Sequence, residues 1–291
     1  MRIVGRLAEI GGDYDALFCD VWGVVHDGAH ALAPAVEALR RYREGGGRVV
    51  LVTNSPRTRI GVEEQLVEQF GVPRDAWDDI ATSGDSARTA MYLGAVGRAV
   101  HHMGGQADEA FFHPPEVVEA PVAIERVPLD RAEGIVCTSP PDPLADPEAL
   151  RPQLLAARTR GLKLLCANPD IVVDRGPIRE WCAGAVAALY AEMGGESLYF
   201  GKPHPPIYDL ARRRLARHAA VDDGRILCVG DGAVTDARGA MGEDLDLLFV
   251  AGGLAARETG TPAGGDPDPE KLARFAAMEG IEPAFVIGHL R

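Results

Sequence analysis

The segment formed by residues 16–28, ALFCDVWGVVHDG, most constrains what this chain can fold into, because an apolar strand there ends on the carboxylate of Asp20 and turns at a glycine. Three later apolar segments also stop abruptly at polar residues: RVVLVTN (48–54), SLYFGK (197–202) and RILCVGD (225–231). Continuous apolar runs of this kind predict parallel strands that are covered on both faces, and such sheets bind ligands beyond the carboxyl ends of their strands. Any one of these polar residues would suit an ordinary turn, so the prediction of one shared crevice depends on their occurring together.

The residue types at these strand ends suit chemistry on a phosphate. Asp20 can act as a covalent nucleophile that passes through an aspartyl-phosphate. Such chemistry needs countercharge, which a hard cation and a lysine can supply. Asp231 and Asp236, in GDGAVTD, are the candidate ligands of the cation, and Lys202, in GKPHP, is the candidate lysine. An all-oxygen site of this kind predicts Mg²⁺ as the metal.

A second group of polar residues follows the strand at 48–54. The hydroxyl of Thr53 is a candidate for holding the phosphate oxygens, together with Asn54, Ser55 and the backbone N–H groups around them. We therefore predict the phosphate-binding residues at this strand end.

Composition limits the classes of partner. The 291 residues are 46% hydrophobic and carry a formal charge of −13, so a sizeable core is expected and a nucleic acid or an anionic membrane is not expected as a partner. The five cysteines are widely spaced, which favours buried free thiols over disulfides or zinc. No signal peptide or membrane-spanning run is recognisable, and we expect a cytoplasmic protein.

The order of the predicted elements indicates an α/β fold. Apolar strands alternate with helical patterns such as residues 34–44 and 58–70, and a further strand and turn are expected at residues 80–85, which predicts a parallel sheet. The middle third contains further strands and helices without the chemistry-bearing strand ends. We therefore predict one domain at 1–83 and 196–291, with a separate α/β domain inserted at 84–195.

The motif order DxxGV, VTN, GKP, GDxxxTD closely resembles that of the haloacid dehalogenase superfamily of phosphatases. The segments TSG near Ser83, NPD at 168–170 and FGKPHP at 200–205 make the chain similar to subfamily IIA, the NagD-type or nitrophenylphosphatase-like group. The resemblance implies a Mg²⁺-dependent hydrolase of small phosphorylated metabolites with a Rossmann-like, doubly wound core at 1–83 and 196–291. It also implies that the inserted α/β domain at 84–195 is a cap that closes over the core. The family often forms homodimers through the cap, and the oligomeric state of this chain stays open.

The resemblance implies further site residues. Because the family's cap contacts substrate, Asn168, Asp170 and Arg175 are candidate substrate-binding residues. The family also uses the backbone carbonyl two residues after the nucleophile as a metal ligand, which is Trp22 here.

One position departs from the family pattern. Family phosphatases place a general acid and base Asp two residues after the nucleophile, where this chain has Trp22. Because a positioned acid or base contributes about 10²–10⁴-fold, we expect slow turnover rather than lost binding. His26 or Asp27 is a candidate substitute, and the alternative is that HDG is simply a turn.

Two other functions remain open. A catalytically impaired protein that binds Mg²⁺ and a phosphate ligand is one alternative. A more remote alternative is carbon–halogen hydrolysis, because dehalogenases of the superfamily have an aromatic residue at the spacing of Trp22 and use no metal. The acidic pair Asp231 and Asp236, together with Lys202, favours the phosphatase type of site over the dehalogenase type.

Overall fold

A computed structural model describes residues 1–175 and 178–291, except for the side chains of residues 106, 107, 174 and 175. The chain forms two compact units. The first comprises residues 1–53, 63–81 and 208–291, and the second comprises residues 54–62 and 82–207.

The strands and helices are numbered along the chain. The strands are β1 (Arg2–Ile3), β2 (Ala16–Cys19), β3 (Arg48–Thr53), β4 (Asp79–Thr82), β5 (Ala99–Met103), β6 (Glu125–Arg126), β7 (Gly134–Cys137), β8 (Lys163–Cys166), β9 (Val172–Arg175), β10 (Ile178–Trp181), β11 (Glu196–Tyr199), β12 (Ile226–Gly230), β13 (Asp246–Val250) and β14 (Phe285–Ile287). The helices are α1 (Ala33–Glu44), α2 (Arg59–Glu64), α3 (Ser83–Tyr92), α4 (Arg151–Thr159), α5 (Ala183–Glu192), α6 (Pro205–Leu215), α7 (Arg238–Gly242) and α8 (Pro269–Glu279).

The first unit is built on a seven-stranded sheet in the described part of the chain, in the order β1-β14-β13-β12-β2-β3-β4. From β2 the chain winds one way through β3 and β4, and from β12 it winds the other way through β13 and β14. The pairs β2 with β3 and β2 with β12 are parallel, and all four residues of β2 are buried. The order of the strands therefore reverses between β2 and β12, which is where open α/β sheets form a ligand crevice.

The second unit has its own parallel sheet, in the order β11-β8-β7-β5-β6, and an antiparallel hairpin of β9 and β10. Helices α4 and α5 pack their buried residues into the core of this sheet, which includes Leu154, Val186 and Tyr190. The two sheets with their helices confirm the predicted α/β class.

One predicted strand belongs to the other sheet. The sequence analysis placed SLYFGK (197–202) in the core sheet, but β11 pairs in parallel with β8 in the second unit. Helix α5 packs against both β8 and β11, so the chain leaves the second sheet after β8 and rejoins it at β11. The apolar run alone does not specify its partner strand. Lys202 therefore follows a strand of the second sheet rather than of the first.

Local boundaries differ at two further places. The segment predicted as a strand and turn at 80–85 is β4 followed directly by α3, because the Thr82 hydroxyl accepts a hydrogen bond from the Asp85 N–H and caps a helix there. The helical pattern at 58–70 is α2 followed by a π-helical turn at Gln65–Gln69. Both differences concern hydrogen bonds that hydrophobic spacing does not specify.

The second unit extends beyond the predicted insert of residues 84–195, since it also takes in residues 54–62 and runs on to residue 207. All five cysteines are free and buried, as expected. Among the described residues, none of the helices combines the length and the apolar character that crossing a membrane requires.

Candidate active site

Asp20 lies at the carboxyl end of β2, beside the point where the strand order reverses. Its backbone N–H donates to Val229 O of β12 at 2.8 Å, and its side chain is buried. Gly23 then turns the chain at φ +82°, and its N–H donates to the His26 carbonyl. A Cβ at Gly23 would overlap the Asp231 carboxylate, so this turn requires glycine for both its conformation and its close approach.

Asp231 and Asp236 come from the segment after β12. A π-helical turn at Ala233–Ala237 carries Asp236 back toward the strand end, where its Oδ2 accepts the Gly232 N–H at 3.1 Å. Carboxylate oxygens of Asp20, Asp231 and Asp236 all lie within 4.8 Å of one another, and all three residues are buried. The structure thus brings together the three acidic side chains that were predicted from the sequence.

This cluster fits a hard divalent cation. Three negative charges at such distances repel one another, and a bound cation between them would offset this repulsion. Their ligand atoms are all oxygen, the ligand type that Mg²⁺ prefers. Asp20, Asp231 and Asp236 would hold the ion, which supplies positive charge to a phosphate bound beside it. The predicted contribution of the Trp22 carbonyl stays a prediction.

A loop after β13 also supports the cluster and was missed by the sequence analysis. The Leu254 N–H donates to Asp231 Oδ2 at 2.8 Å, and a Cβ at Gly253 would overlap the Asp231 side chain. The available signal was the glycine pair Gly252 and Gly253 just beyond the buried strand β13, because close backbone approach at that edge favours glycine.

The indole of Trp22 packs against its own loop. Its ring lies 5.0 Å from the His26 ring in an edge arrangement, and His26 stacks on Phe70 at 4.2 Å. Gly28, at φ +87°, has no room for a Cβ because the indole ring occupies that space. Trp22 therefore has an aromatic packing role in this structure.

His26 and Asp27 both stabilise this loop. His26 Nδ1 accepts the Gly28 N–H at 3.0 Å, and burial lowers the pKa of His26 to about 4, against the opposing influence of Asp27. Asp27 Oδ1 accepts the N–H groups of His30 and Ala29, which hold its pKa below the ordinary value. These contacts agree with the interpretation of HDG as a turn, and they leave His26 neutral near pH 7.

Thr53 is the last residue of β3 and is buried in the first unit. Because β3 pairs with β2, Thr53 lies at the same edge of the sheet as Asp20. Its position is compatible with the predicted contact between its hydroxyl and a phosphate oxygen.

The remaining predicted site residues lie in the second unit. The side chain of Asn54 bonds to the backbone of Lys202 and to Asp170. The Ser55 carbonyl accepts the Gly84 N–H, and Asn168 Oδ1 accepts the Asp170 N–H. Arg175 is the last residue of β9, and its side chain lies outside the described part of the structure. The structure thus groups Asn54, Asp170 and Lys202, while the acidic cluster belongs to the other unit.

Comparison with known proteins identifies the family. A model described as haloacid dehalogenase-like hydrolase matches residues 17–114, and a related one described as HAD-hydrolase-like matches residues 199–288. A solved haloacid dehalogenase-like family hydrolase from Brucella suis 1330 is 40% identical over 99% of this chain and 100% of that one, with a TM-score of 0.84. The chain belongs to the haloacid dehalogenase-like hydrolases.

Two further solved structures are similar at lower identity. A possible sugar phosphatase from Cytophaga hutchinsonii shares the fold at 19% identity and a TM-score of 0.73, covering 99% of this chain and 98% of that one. A glycerol phosphate phosphatase from Mycobacterium tuberculosis, in complex with calcium, is 26% identical over 84% of this chain and 68% of that one, with a TM-score of 0.63. No protein with a curated description matches significantly. Family membership confirms the resemblance on which the sequence analysis relied.

Proposed function

We propose that this hydrolase is a Mg²⁺-dependent phosphatase of small phosphorylated metabolites, with Asp20 as its nucleophile. The observation that carries the proposal is the buried cluster of Asp20, Asp231 and Asp236 at the carboxyl ends of β2 and β12. Two structural relatives are described as a possible sugar phosphatase and a glycerol phosphate phosphatase, which supports phosphate esters as the substrate class. The second unit would act as the cap that selects the substrate.

The roles of this chain's residues follow from their chemistry. A carboxylate oxygen of Asp20 attacks phosphorus, the bond from phosphorus to the ester oxygen breaks, and an aspartyl-phosphate and an alkoxide result. Lys202 would offset the phosphate charge, to which a cation held by Asp20, Asp231 and Asp236 would add positive charge, and Thr53 with the backbone N–H groups near Asn54 and Ser55 would orient the phosphate oxygens. Asn168, Asp170 and Arg175 are the proposed contacts for the rest of the substrate.

Proton transfer is the step that this site serves poorly. The leaving alkoxide needs a proton, and the water that attacks the aspartyl-phosphate must lose one. The indole of Trp22 can do neither, and burial keeps His26 neutral with its Nδ1 already accepting a hydrogen bond. Hydrolysis of the aspartyl-phosphate is therefore expected to be the slow step.

This slow step favours a second candidate function, in which the protein binds Mg²⁺ and a phosphate ligand without efficient turnover. The acidic cluster and Lys202 would serve binding equally well in that case. The same cluster disfavours dehalogenation, since a metal-free reaction would have no use for three adjacent buried carboxylates.

Phosphate release from a panel of small phosphate esters separates the candidates. The wild-type protein should release phosphate in Mg²⁺ and stop in excess chelator, and Asp20→Asn should release none. A phosphoenzyme should accumulate transiently in the wild type, because its hydrolysis is slow. Tight binding of Mg²⁺ and phosphate without release by either protein would contradict the phosphatase and support the binding function.

A further inference from the structure

The carboxamide of Asn54 forms hydrogen bonds with both backbone polar groups of Lys202, and this pair of hydrogen bonds is called the bracket. The Lys202 N–H donates to Asn54 Oδ1 at 2.7 Å, and Asn54 Nδ2 donates to the Lys202 carbonyl at 3.2 Å. Both residues are buried, with relative exposures of 5% and 3%. One side chain thus satisfies both backbone polar groups of the lysine, which would otherwise be costly to bury.

Asp170 fixes the orientation of this carboxamide. Asn54 Nδ2 also donates to Asp170 Oδ1 at 2.8 Å, and the Asp170 N–H donates to Asn168 Oδ1 at 3.0 Å. The carboxylate can only accept a hydrogen bond, so it specifies which end of the Asn54 amide faces it. The oxygen is then left to face the Lys202 N–H.

The surroundings leave little room for another arrangement. A Cβ at Gly201 would crowd Asn54 Oδ1, the Pro169 ring and the Ser83 hydroxyl. Glycine at this position therefore allows the Lys202 backbone to approach the Asn54 side chain closely. The bracket is a packed element of the second unit and not a surface contact.

The hydrogen-bonding capacity of Asn54 is also used up on its donor side. The Nδ2 group has two hydrogens, and they are committed to Asp170 and to the Lys202 carbonyl. None remains for a phosphate oxygen. The predicted phosphate contact at Asn54 is thereby reduced to its backbone N–H.

We propose that Asn54 is a positioning residue that sets where the Lys202 side chain leaves the backbone, and that Asp170 holds Asn54 in the required orientation. Asn54 directly follows Thr53, so a single residue joins the phosphate-binding strand end to the lysine and to the Asn168–Asp170 turn. This inference rests on the proposed function of Lys202 as the countercharge for phosphate.

A swap of donor and acceptor tests the proposal. Asn54→Asp places an oxygen against both Asp170 and the Lys202 carbonyl, and the double variant with Asp170→Asn restores a donor–acceptor pair between positions 54 and 170. Gln69→Glu makes the same amide-to-carboxylate change at an exposed position and serves as the control. Three quantities are measured for each protein: kcat and KM for a phosphate ester, the affinity for inorganic phosphate in Mg²⁺, and the free energy of unfolding in urea.

Asn54→Asp should lower kcat and phosphate affinity by about 10–10²-fold, the scale expected when a charged group is displaced by about 1 Å. The double variant should recover about tenfold of that loss relative to Asn54→Asp, and Gln69→Glu should match the wild type. If Asn54→Asp lowers the free energy of unfolding but leaves kcat and phosphate affinity at wild-type values, the bracket has only a structural role and the proposal is overturned. A double variant that recovers neither kcat nor phosphate affinity would also overturn it.

The two proposals fail in different ways. If the wild type releases no phosphate from any ester, the phosphatase proposal fails. The bracket is then judged on inorganic phosphate affinity alone, where the same loss and recovery are expected. Equal phosphate affinity in the wild type and Asn54→Asp would contradict it.

Discussion

At the scale of single residues, Trp22 is the basis for the proposed slow turnover. Under the proposed function, a group two residues after Asp20 would serve proton transfer, but here an indole packs against His26 and Gly28. His26 is the nearest titratable side chain along this loop, but burial favours its neutral form and its Nδ1 accepts the Gly28 N–H. Under the proposed function, the protein should therefore form a phosphoenzyme more readily than it hydrolyses one.

Trp22→Asp should therefore raise Mg²⁺-dependent turnover. A positioned carboxyl group contributes about 10²–10⁴-fold, so an increase of at least about tenfold is expected even with imperfect placement. Steady-state phosphate release checks this, with Trp22→Phe as the matched control that removes the indole without adding an acid. A rise in both variants would show that the bulk of the indole, and not the missing carboxyl group, limits turnover.

Gly23 sets the geometry of the acidic cluster at the same scale. Gly23→Ala places a Cβ at φ +82° and against the Asp231 carboxylate, so Mg²⁺ affinity and the free energy of unfolding should both fall, the latter by about 1–3 kcal/mol. Calorimetric Mg²⁺ titration and urea unfolding measure the two effects. Gly12→Ala, where a Cβ meets open space, should behave like the wild type. Unchanged Mg²⁺ affinity in Gly23→Ala would contradict the close approach.

At the scale of elements, Asp78 ties together the helix and the strands on one side of the first sheet. Its carboxylate, which precedes β4, accepts hydrogen bonds from Arg43 of α1, from Arg48 and from the Val49 N–H of β3. Burial alone would raise the pKa of Asp78, but these donors outweigh it and hold the pKa below the ordinary value. The carboxylate therefore stabilises the junction in its ionised form.

This depressed pKa predicts acid sensitivity. The stabilisation is present above the pKa of the unfolded state, about 3.9, and is lost as the pH falls through the lower folded pKa. Asp78→Asn should lower the free energy of unfolding by about 1–3 kcal/mol near neutral pH and make it fall less steeply below about pH 4. Urea unfolding at several pH values, with the exposed Asp222→Asn as control, measures the difference. Parallel pH profiles for the wild type and Asp78→Asn would count against this role.

At the scale of the whole molecule, the acidic cluster was easier to predict from the sequence than the assignment of strands to sheets. Strands β2, β3 and β12 were predictable because apolar runs that end on polar residues favour buried parallel strands, and their ends carry Asp20, Thr53 and Asp231. Strand β11 was assigned to the wrong sheet because its one exposed and three half-buried residues carry no information about the neighbour with which they pair. Asn54 contacts Lys202, which is 148 positions away, and Asp170, which is 116 positions away, and no local pattern specifies such pairs.

The fold also concentrates negative charge at one point, and we therefore expect its stability to depend on a bound cation. The chain carries a formal charge of −13, and three of its acids are buried within 4.8 Å of one another. A cation that binds only the folded state stabilises it by about 2.7 kcal/mol at a free concentration of one hundred times its Kd. Mg²⁺ should therefore raise the melting temperature and the urea midpoint relative to excess chelator.

Asp236→Asn provides the decisive comparison, because it removes one of the three charges and leaves a side chain of almost the same size. Without metal, relief of the repulsion offsets part of any lost hydrogen bonding, so the variant should unfold close to the wild type. At a Mg²⁺ concentration that saturates the wild type, Mg²⁺ should add little to the free energy of unfolding of Asp236→Asn, whereas Asp222→Asn should gain as much as the wild type. An equal gain in the wild type and Asp236→Asn would mean that the cation binds elsewhere. The acidic cluster would then drop out of the proposed mechanism, because the phosphate countercharge at Asp20 depends on an ion held by these three side chains.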